Sequence, residues 1–271
     1  MRESPKPKVV AAHGYGISVT VRRGHLIVED GVGKHRRSRR FNRATPHFDR
    51  LVVHGHSGII SLDAIRWLSD VGASFVQIDH DAKVLATSTP GHEAKPQFLV
   101  SQIEAKTNGL GVKVMRKLIT EKIDGQLKNL RYLKAKPRVV ALVMNHRERA
   151  RKADTFDAIR DAEKLSGKQY WGAWAGLPVQ FENRDAGKIP EHWVRFNRRR
   201  STLSEGNRKA IDPPNALLNY LFGILEAETK LTAMEIGLNP YIGVMHADLP
   251  FRASLAADLM EPGGTPVNRH R

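Results

Sequence analysis

Alternation of apolar and polar positions in the first third of the chain predicts short strands. Ile17 to Val21 and His25 to Glu29 flank the turn residues Arg22-Arg23-Gly24, and Leu51 to His54 precedes Gly55-His56-Ser57-Gly58. Ser61 is placed to N-cap a short helix over Leu62 to Asp70, with Leu62, Ile65 and Leu68 on its apolar side. Two more strands, Ser74 to Ile78 and Lys83 to Ala86, are predicted around a turn at His80-Asp81, and the β-rich region ends near Thr89-Pro90-Gly91.

From Pro96 the period lengthens. Phe98, Ile103, Val112, Met115, Leu118, Ile119 and Ile123 recur on helical faces until Pro137 interrupts them. A helix is expected over Val140 to Ala150 and another over Ala153 to Trp174. Residues 182 to 212 are polar, basic and irregular, and read as a long loop with short helical pieces. Asp212-Pro213 supplies an N-cap and a proline at the first helical position, so a helix should run from Pro213 to Ile236 and stop at Gly237. A last helix is expected over Phe251 to Glu261, ending at Pro262. The pattern predicts an α+β protein: a small β-rich N-terminal domain over residues 1–90, then a larger all-α domain over residues 91–271.

Composition narrows the chemistry. The 271 residues include no cysteine, so thiolate metal sites are excluded and any metal must rest on oxygen and imidazole ligands. No apolar run approaches a membrane span and the first residues have no apolar signal core, which predicts a cytoplasmic protein with no membrane partner. A net charge of +16 favours polyanionic partners through phosphate neutralisation, without separating DNA from RNA or binding from catalysis.

Three places can carry chemistry. On the helix expected after Ala153, Phe156, Ile159, Glu163, Tyr170 and Trp174 fall on one face, so Glu163 is a carboxylate among apolar neighbours; it needs either a cationic side chain or a metal. His246 follows the apolar stretch Tyr241-Ile-Gly-Val-Met, as either a hydrogen-bonded structural histidine or a ligand. Asp258 and Glu261 share a helix face at i, i+3, either as a solvated acidic last turn or as two donors for one cation. Acids there oppose the helix dipole, which favours a cation. One histidine with two or three carboxylates suits Mg²⁺ or Mn²⁺. Lys168, Arg195 and Arg252 are candidates to hold the flanking phosphates of a nucleic acid.

The motifs together are specific. Asp212-Pro-Pro-Asn-Ala-Leu-Leu-Asn-Tyr220, Gly237-Leu-Asn-Pro-Tyr-Ile-Gly-Val-Met-His-Ala-Asp248 and Arg252-Ala-Ser-Leu-Ala-Ala-Asp-Leu-Met-Glu-Pro262 resemble the CRISPR-associated integrase and endonuclease family Cas1 (Cas-one). His54-Gly-His-Ser-Gly-Ile-Ile-Ser61 with Gly72-Ala-Ser-Phe-Val-Gln-Ile-Asp79 is similar to that family's β-domain, and Glu163 with Tyr170-Trp171 to its glutamate-helix motif.

The resemblance implies that Glu163, His246 and Asp258 are metal ligands, with Glu261 at a further acidic position. Tyr170 and Trp171 of the glutamate-helix motif join Lys168, Arg195 and Arg252 as expected nucleic-acid contacts, and the resemblance further implies homodimerisation through the β-domain and the small partner protein Cas2 (Cas-two). The implied reaction is attack of a DNA 3′-hydroxyl on a phosphodiester of the CRISPR repeat, by which spacer DNA is inserted. Only ten residues follow Glu261, where the family usually continues, so a shortened DNA-binding relative is one alternative and a mobile-element integrase of the same family another. A second departure is the basic run His35-Arg-Arg-Ser-Arg-Arg40, read as a solvated or DNA-contacting loop.

Overall fold

The computed structural model describes residues 8–45, 48–79, 84–88, 96–182, 187–199, 212–246 and 252–263. The chain divides into two units: residues 1–94 with 231–237, and residues 95–230 with 238–271. As the sequence predicts, the fold is α+β, with strands first and helices after.

The first unit holds two four-stranded sheets. Strands β1 (Val9–His13), β5 (Arg50–His54) and β7 (Ser74–Ile78) run parallel, and β8 (Val84–Ser88) closes that sheet antiparallel to β7. In the other sheet β3 (His25–Asp30) lies antiparallel to both β2 (Ile17–Arg22) and β4 (Arg37–Phe41), while β6 (Gly58–Ile60) pairs parallel with β2. Helix α1 (Leu62–Asp70) is capped by the Ser61 side chain, which accepts from the Ala64 amide. Its Trp67 is fully buried with Leu26, Leu51 and Leu68, and the indole N–H donates to the Gly24 carbonyl at 3.0 Å. Gly14 is required: at φ +119°, any Cβ there would lie 2.9 Å from the Gly31 carbonyl.

Three of these strands escape the alternation rule. β1 is the apolar run Val-Val-Ala-Ala closed by His13, β6 is three residues long, and β4 reads Arg-Ser-Arg-Arg-Phe. The basic run is therefore a paired strand with its preceding turn, not a loop. Its arginines have partners in the unit. Arg37 forks onto Asp30 at 2.7 and 2.8 Å, Arg39 reaches Asp30 and the Ala11 carbonyl, and Arg36 donates to the carbonyls of Tyr15 and Gly16. The last turn of the long helix α6, with Leu231 and Ala233 buried, also belongs to this unit, and Glu235 pairs there with the buried Arg50.

The second unit is helical: α2 (Pro96–Glu104), α3 (Leu110–Tyr132), α4 (Pro137–Lys152), α5 (Phe156–Trp174), most of α6 (Pro213–Glu235) and the short α7 (Ser254–Met260). Pro137 starts α4 instead of merely interrupting it, because a proline costs nothing where no N–H is needed. Thr155 caps α5, which begins three residues later than expected. Asp212 caps α6 as predicted, its carboxylate accepting from the Asn215 amide at 2.8 Å. In the irregular stretch the described residues include the 3-10 turn Glu191–Trp193. The core is Met115, Ile119, Ile123 and Leu130 of α3 with Val143 and Ala150 of α4, and Ile159, Ala162 and Tyr170 of α5.

Candidate cation site of the helical unit

Three polar pairs run along the buried seam between α3 and α5. Lys122 Nζ meets Glu163 at 2.5 Å, Ser166 donates to Gln126 at 2.6 Å, and Asn129 donates to the Tyr170 hydroxyl at 3.0 Å. Pairs that rise together in both helices require α3 and α5 to run parallel, with α4 returning between them. Each pair satisfies polar groups that would be costly to bury alone.

At the Lys122 end the seam opens into a cluster. Lys122 Nζ also meets Glu261 Oε2 at 2.5 Å, so one ammonium joins the carboxylates of α5 and of the residue ending α7. Burial works against the charged lysine, but Glu261 and Glu163 outweigh it and hold the group above its ordinary value. The side chains of Glu163, Lys122 and Glu261 remain 24%, 20% and 16% exposed, so one side of the cluster is open to solvent.

His246 lies beside them. Its Nδ1 is 2.7 Å from Asp258 Oδ1, and its Nε2 is 3.7 Å from Glu261 Oε1. Because Asp258 is a carboxylate, Nδ1 donates to it, and Nε2 is the ring nitrogen turned toward Glu261. Asp258 itself is buried and its oxygens are occupied. Oδ2 accepts from the amides of Val244 and Met245 at 2.7 and 3.0 Å; Oδ1 accepts from the His246 amide at 3.0 Å as well as from the ring. The 244–246 backbone thus wraps Asp258 on α7. Gly243 allows the approach, since a Cβ there would fall 2.6 Å from Asp258 Oδ2 and 2.8 Å from the Ser254 carbonyl. Arg160 of α5 holds the Met245 carbonyl from another side at 2.8 Å.

The predicted ligands therefore come together in two layers. Glu163, His246 Nε2 and Glu261 face the ammonium or the open side, and Asp258 stands behind His246. Direct ligation by Asp258 does not fit this arrangement, because its four hydrogen bonds use both oxygens. The donor set suits a hard divalent cation, and Lys122 already stands between the two carboxylates as a cation in kind. Among the described residues no three acidic or histidine side chains close into a ready-made metal cage; the carboxylates close on the ammonium instead. Lys122 was missed by sequence reasoning. The available signal was its position with Gln126 and Asn129, at spacings of four and three, on an otherwise apolar face of α3.

The expected nucleic-acid contacts separate. Lys168 and Arg195 are exposed, with Arg195 also donating to the Gly176 carbonyl at 2.9 Å. Arg252 is half-buried, and its Nε has no hydrogen-bond partner among the described residues. Tyr170 is 1% exposed and bonded to Asn129, so it is a core residue in this structure and not a surface for bases. Trp171 is partly covered, edge-on to Tyr170 at 4.8 Å and tilted against Phe196 at 6.2 Å, with the Arg199 guanidinium over its ring at 5.8 Å. Tyr170 serves packing, which follows from its place on the apolar face of α5, while Trp171 packs on one side and stays partly exposed. Burial pushes the Arg199 guanidinium below its ordinary value, partly offset by Asp212.

Fold and site define an α+β protein whose helical unit presents an acid–histidine cluster gathered around one lysine. The model of the Cas1 family, CRISPR associated protein Cas1, matches residues 11–263, and the chain belongs to that family. A CRISPR-associated endonuclease Cas1 of Pyrobaculum aerophilum is 29% identical over 93% of this chain and 77% of its own length. One from Archaeoglobus fulgidus is 28% identical over 92% and 72%. Among solved structures, a casposase bound to integration product has TM-score 0.75 at 22% identity, covering 95% of this chain and 70% of that one. A Cas1 protein from Thermotoga maritima has TM-score 0.68 at 14% identity, over 95% and 75%. A Cas6-RT-Cas1–Cas2 complex has TM-score 0.68 at 16% identity, over 96% and 27%. At these identities the solved structures establish the fold. No helix of the described residues is long and apolar enough to cross a membrane.

Proposed function

We propose that this chain is a divalent-metal-dependent DNA endonuclease and integrase of CRISPR adaptation, inserting spacer DNA by 3′-hydroxyl attack on a repeat phosphodiester. The observation that carries this reading is the cluster itself: a histidine with its Nδ1 fixed by a buried carboxylate, facing a second carboxylate that shares one cation with a third. Family membership, curated relatives named endonucleases and a net charge of +16 support it.

Glu163, His246 Nε2 and Glu261 would hold Mg²⁺ or Mn²⁺. When bound, such an ion polarises the phosphoryl oxygen and orients the attacking oxygen. The chain's own residues do the rest. Asp258 fixes the tautomer and direction of His246, and Gly243 and Arg160 fix the loop that carries it. Lys168, Arg195 and Arg252 are placed in this reading on the phosphates flanking the reacting one. The N-terminal unit, with Tyr15, Ile59 and Leu62 exposed, would supply the homodimer interface, and Cas2 the further partner in the complex.

Strand transfer of a 3′-hydroxyl duplex into repeat-bearing DNA, with Mn²⁺, tests the reading. Glu163→Gln and Glu261→Gln should each abolish transfer while the protein stays folded. Full transfer by both variants would sink the assignment. A casposase shares this fold, so the target decides between two integrase readings. Preference for a leader–repeat junction supports CRISPR adaptation, and preference for other target sites with transposon-end DNA supports a mobile-element integrase.

A further inference from the structure

We propose that Lys122 is a built-in competitor for the divalent ion: its ammonium holds the place between Glu163 and Glu261 in the metal-free protein and must withdraw before a metal can bind there. The inference rests on the metal-site reading above and deepens it.

The geometry carries it. One nitrogen lies 2.5 Å from Glu163 Oε1 and 2.5 Å from Glu261 Oε2, which makes it the shared cation of two carboxylates from different elements. A divalent ion in contact with both would sit within van der Waals reach of that ammonium, and two cations cannot share the space without strong repulsion. The backbone of Lys122 is locked, because its neighbours Ile119 and Ile123 on α3 are fully buried. Only the flexible four-carbon stem can move, and the open side of the cluster gives it somewhere to go. The arrangement has two effects. Without metal, the lysine keeps the acids from repelling each other and holds α5 to the end of α7. With metal, every binding event includes the loss of two ion pairs, which raises the metal concentration at which the site fills. Lys122 is therefore a positioning residue that sets a metal threshold.

The test is Mn²⁺ binding to the full chain, read by electron paramagnetic resonance or calorimetry without DNA, on wild type and Lys122→Met. The competitor role predicts about tenfold tighter Mn²⁺ binding by the variant, the order expected when binding no longer has to break the two partly exposed ion pairs of Lys122. It also predicts a lower melting temperature without metal and a larger rise when Mn²⁺ is added. A merely structural lysine would give weaker binding on removal. Equal or weaker Mn²⁺ binding by Lys122→Met overturns the inference while leaving the metal site standing. Mn²⁺ binding by neither protein overturns the metal reading and this inference with it. Glu261→Gln serves as control and should lose Mn²⁺ binding on either background. If the methionine variant does not fold, Lys122→Gln keeps a polar group beside the seam and carries the same expectation.

Discussion

Two fully buried aspartates, Asp30 in the sheet unit and Asp258 in the helical unit, solve the same problem in different ways. Asp30 is neutralised by charge: Arg37 forks onto it, Arg39 approaches at 3.4 Å, and the His13 amide adds a bond at 3.0 Å. Asp258 is satisfied by three backbone amides and one histidine ring nitrogen, with no Lys or Arg pair among the described residues. The first cluster is closed, its one carboxylate more than neutralised where it stands by two guanidinium groups. The second passes its negative charge outward through His246 to a group of acids that shares one lysine. A buried carboxylate held by amides and a histidine leaves the far ring nitrogen directed for other chemistry; one held by arginines leaves only a joint.

The largest expected break in this comparison is Asp258→Ala against Asp30→Ala. Asp258→Ala strands three amides and frees the His246 ring, so Mn²⁺ affinity should fall between about 10- and 100-fold and strand transfer with it. Asp30→Ala should leave Mn²⁺ affinity unchanged and cost about 2 kcal/mol of stability, measured by urea unfolding. A loss of Mn²⁺ affinity in Asp30→Ala would erase the distinction between joint and site.

Acid sharpens the same contrast. Burial raises the Asp30 pKa, but the Arg37 hydrogen bond, the His13 amide and the charge of Arg39 more than reverse that, so the group lies below its ordinary value of 3.8. A depressed carboxylate stabilises the fold fully above its unfolded pKa and loses that contribution as pH falls through the folded value. Wild type should therefore lose stability as pH drops below the ordinary value, and Asp30→Asn, already weaker at neutral pH, should show a flatter acid limb in the same titration.

Smaller effects separate seam from surface. Tyr170→Phe deletes the Asn129 hydrogen bond and should cost about 1 kcal/mol while leaving DNA affinity unchanged. Lys168→Ala and Arg195→Ala should leave stability unchanged, and each should lower the slope of log affinity against log salt by about one. A Tyr170→Phe protein that folds normally but binds DNA weakly would return that residue to the interface.

Most of the fold was legible in the chain. Alternation located β2, β3, β5 and β7, period and caps located α1, α3, α5 and α6, and the switch near Pro96 located the start of the helices. What failed had physical reasons. A strand spelled Arg-Ser-Arg-Arg is visible only once Asp30 is known to lie across from it. The long α6 reads as one helix, yet its last turn belongs to the sheet unit, which hydrophobic period cannot reveal. At the site, sequence and resemblance gathered Glu163, His246, Asp258 and Glu261 but could not order them. Order depends on which oxygens the backbone of 244–246 occupies, and a loop's amide directions are not written in residue types. Lys122, distant in sequence, is one of many lysines until α3 lies beside α5.

The central claim is that Glu163, His246 and Glu261 form the cation-facing layer, with Asp258 behind. The most direct measurement is a crystal structure soaked in Mn²⁺ with anomalous data. One Mn²⁺ is expected at roughly 2.0–2.3 Å from a Glu163 oxygen, His246 Nε2 and a Glu261 oxygen, with Lys122 turned away and Asp258 still bound to the amides. Mn²⁺ bound directly to Asp258, with Glu261 outside coordination distance, would contradict it.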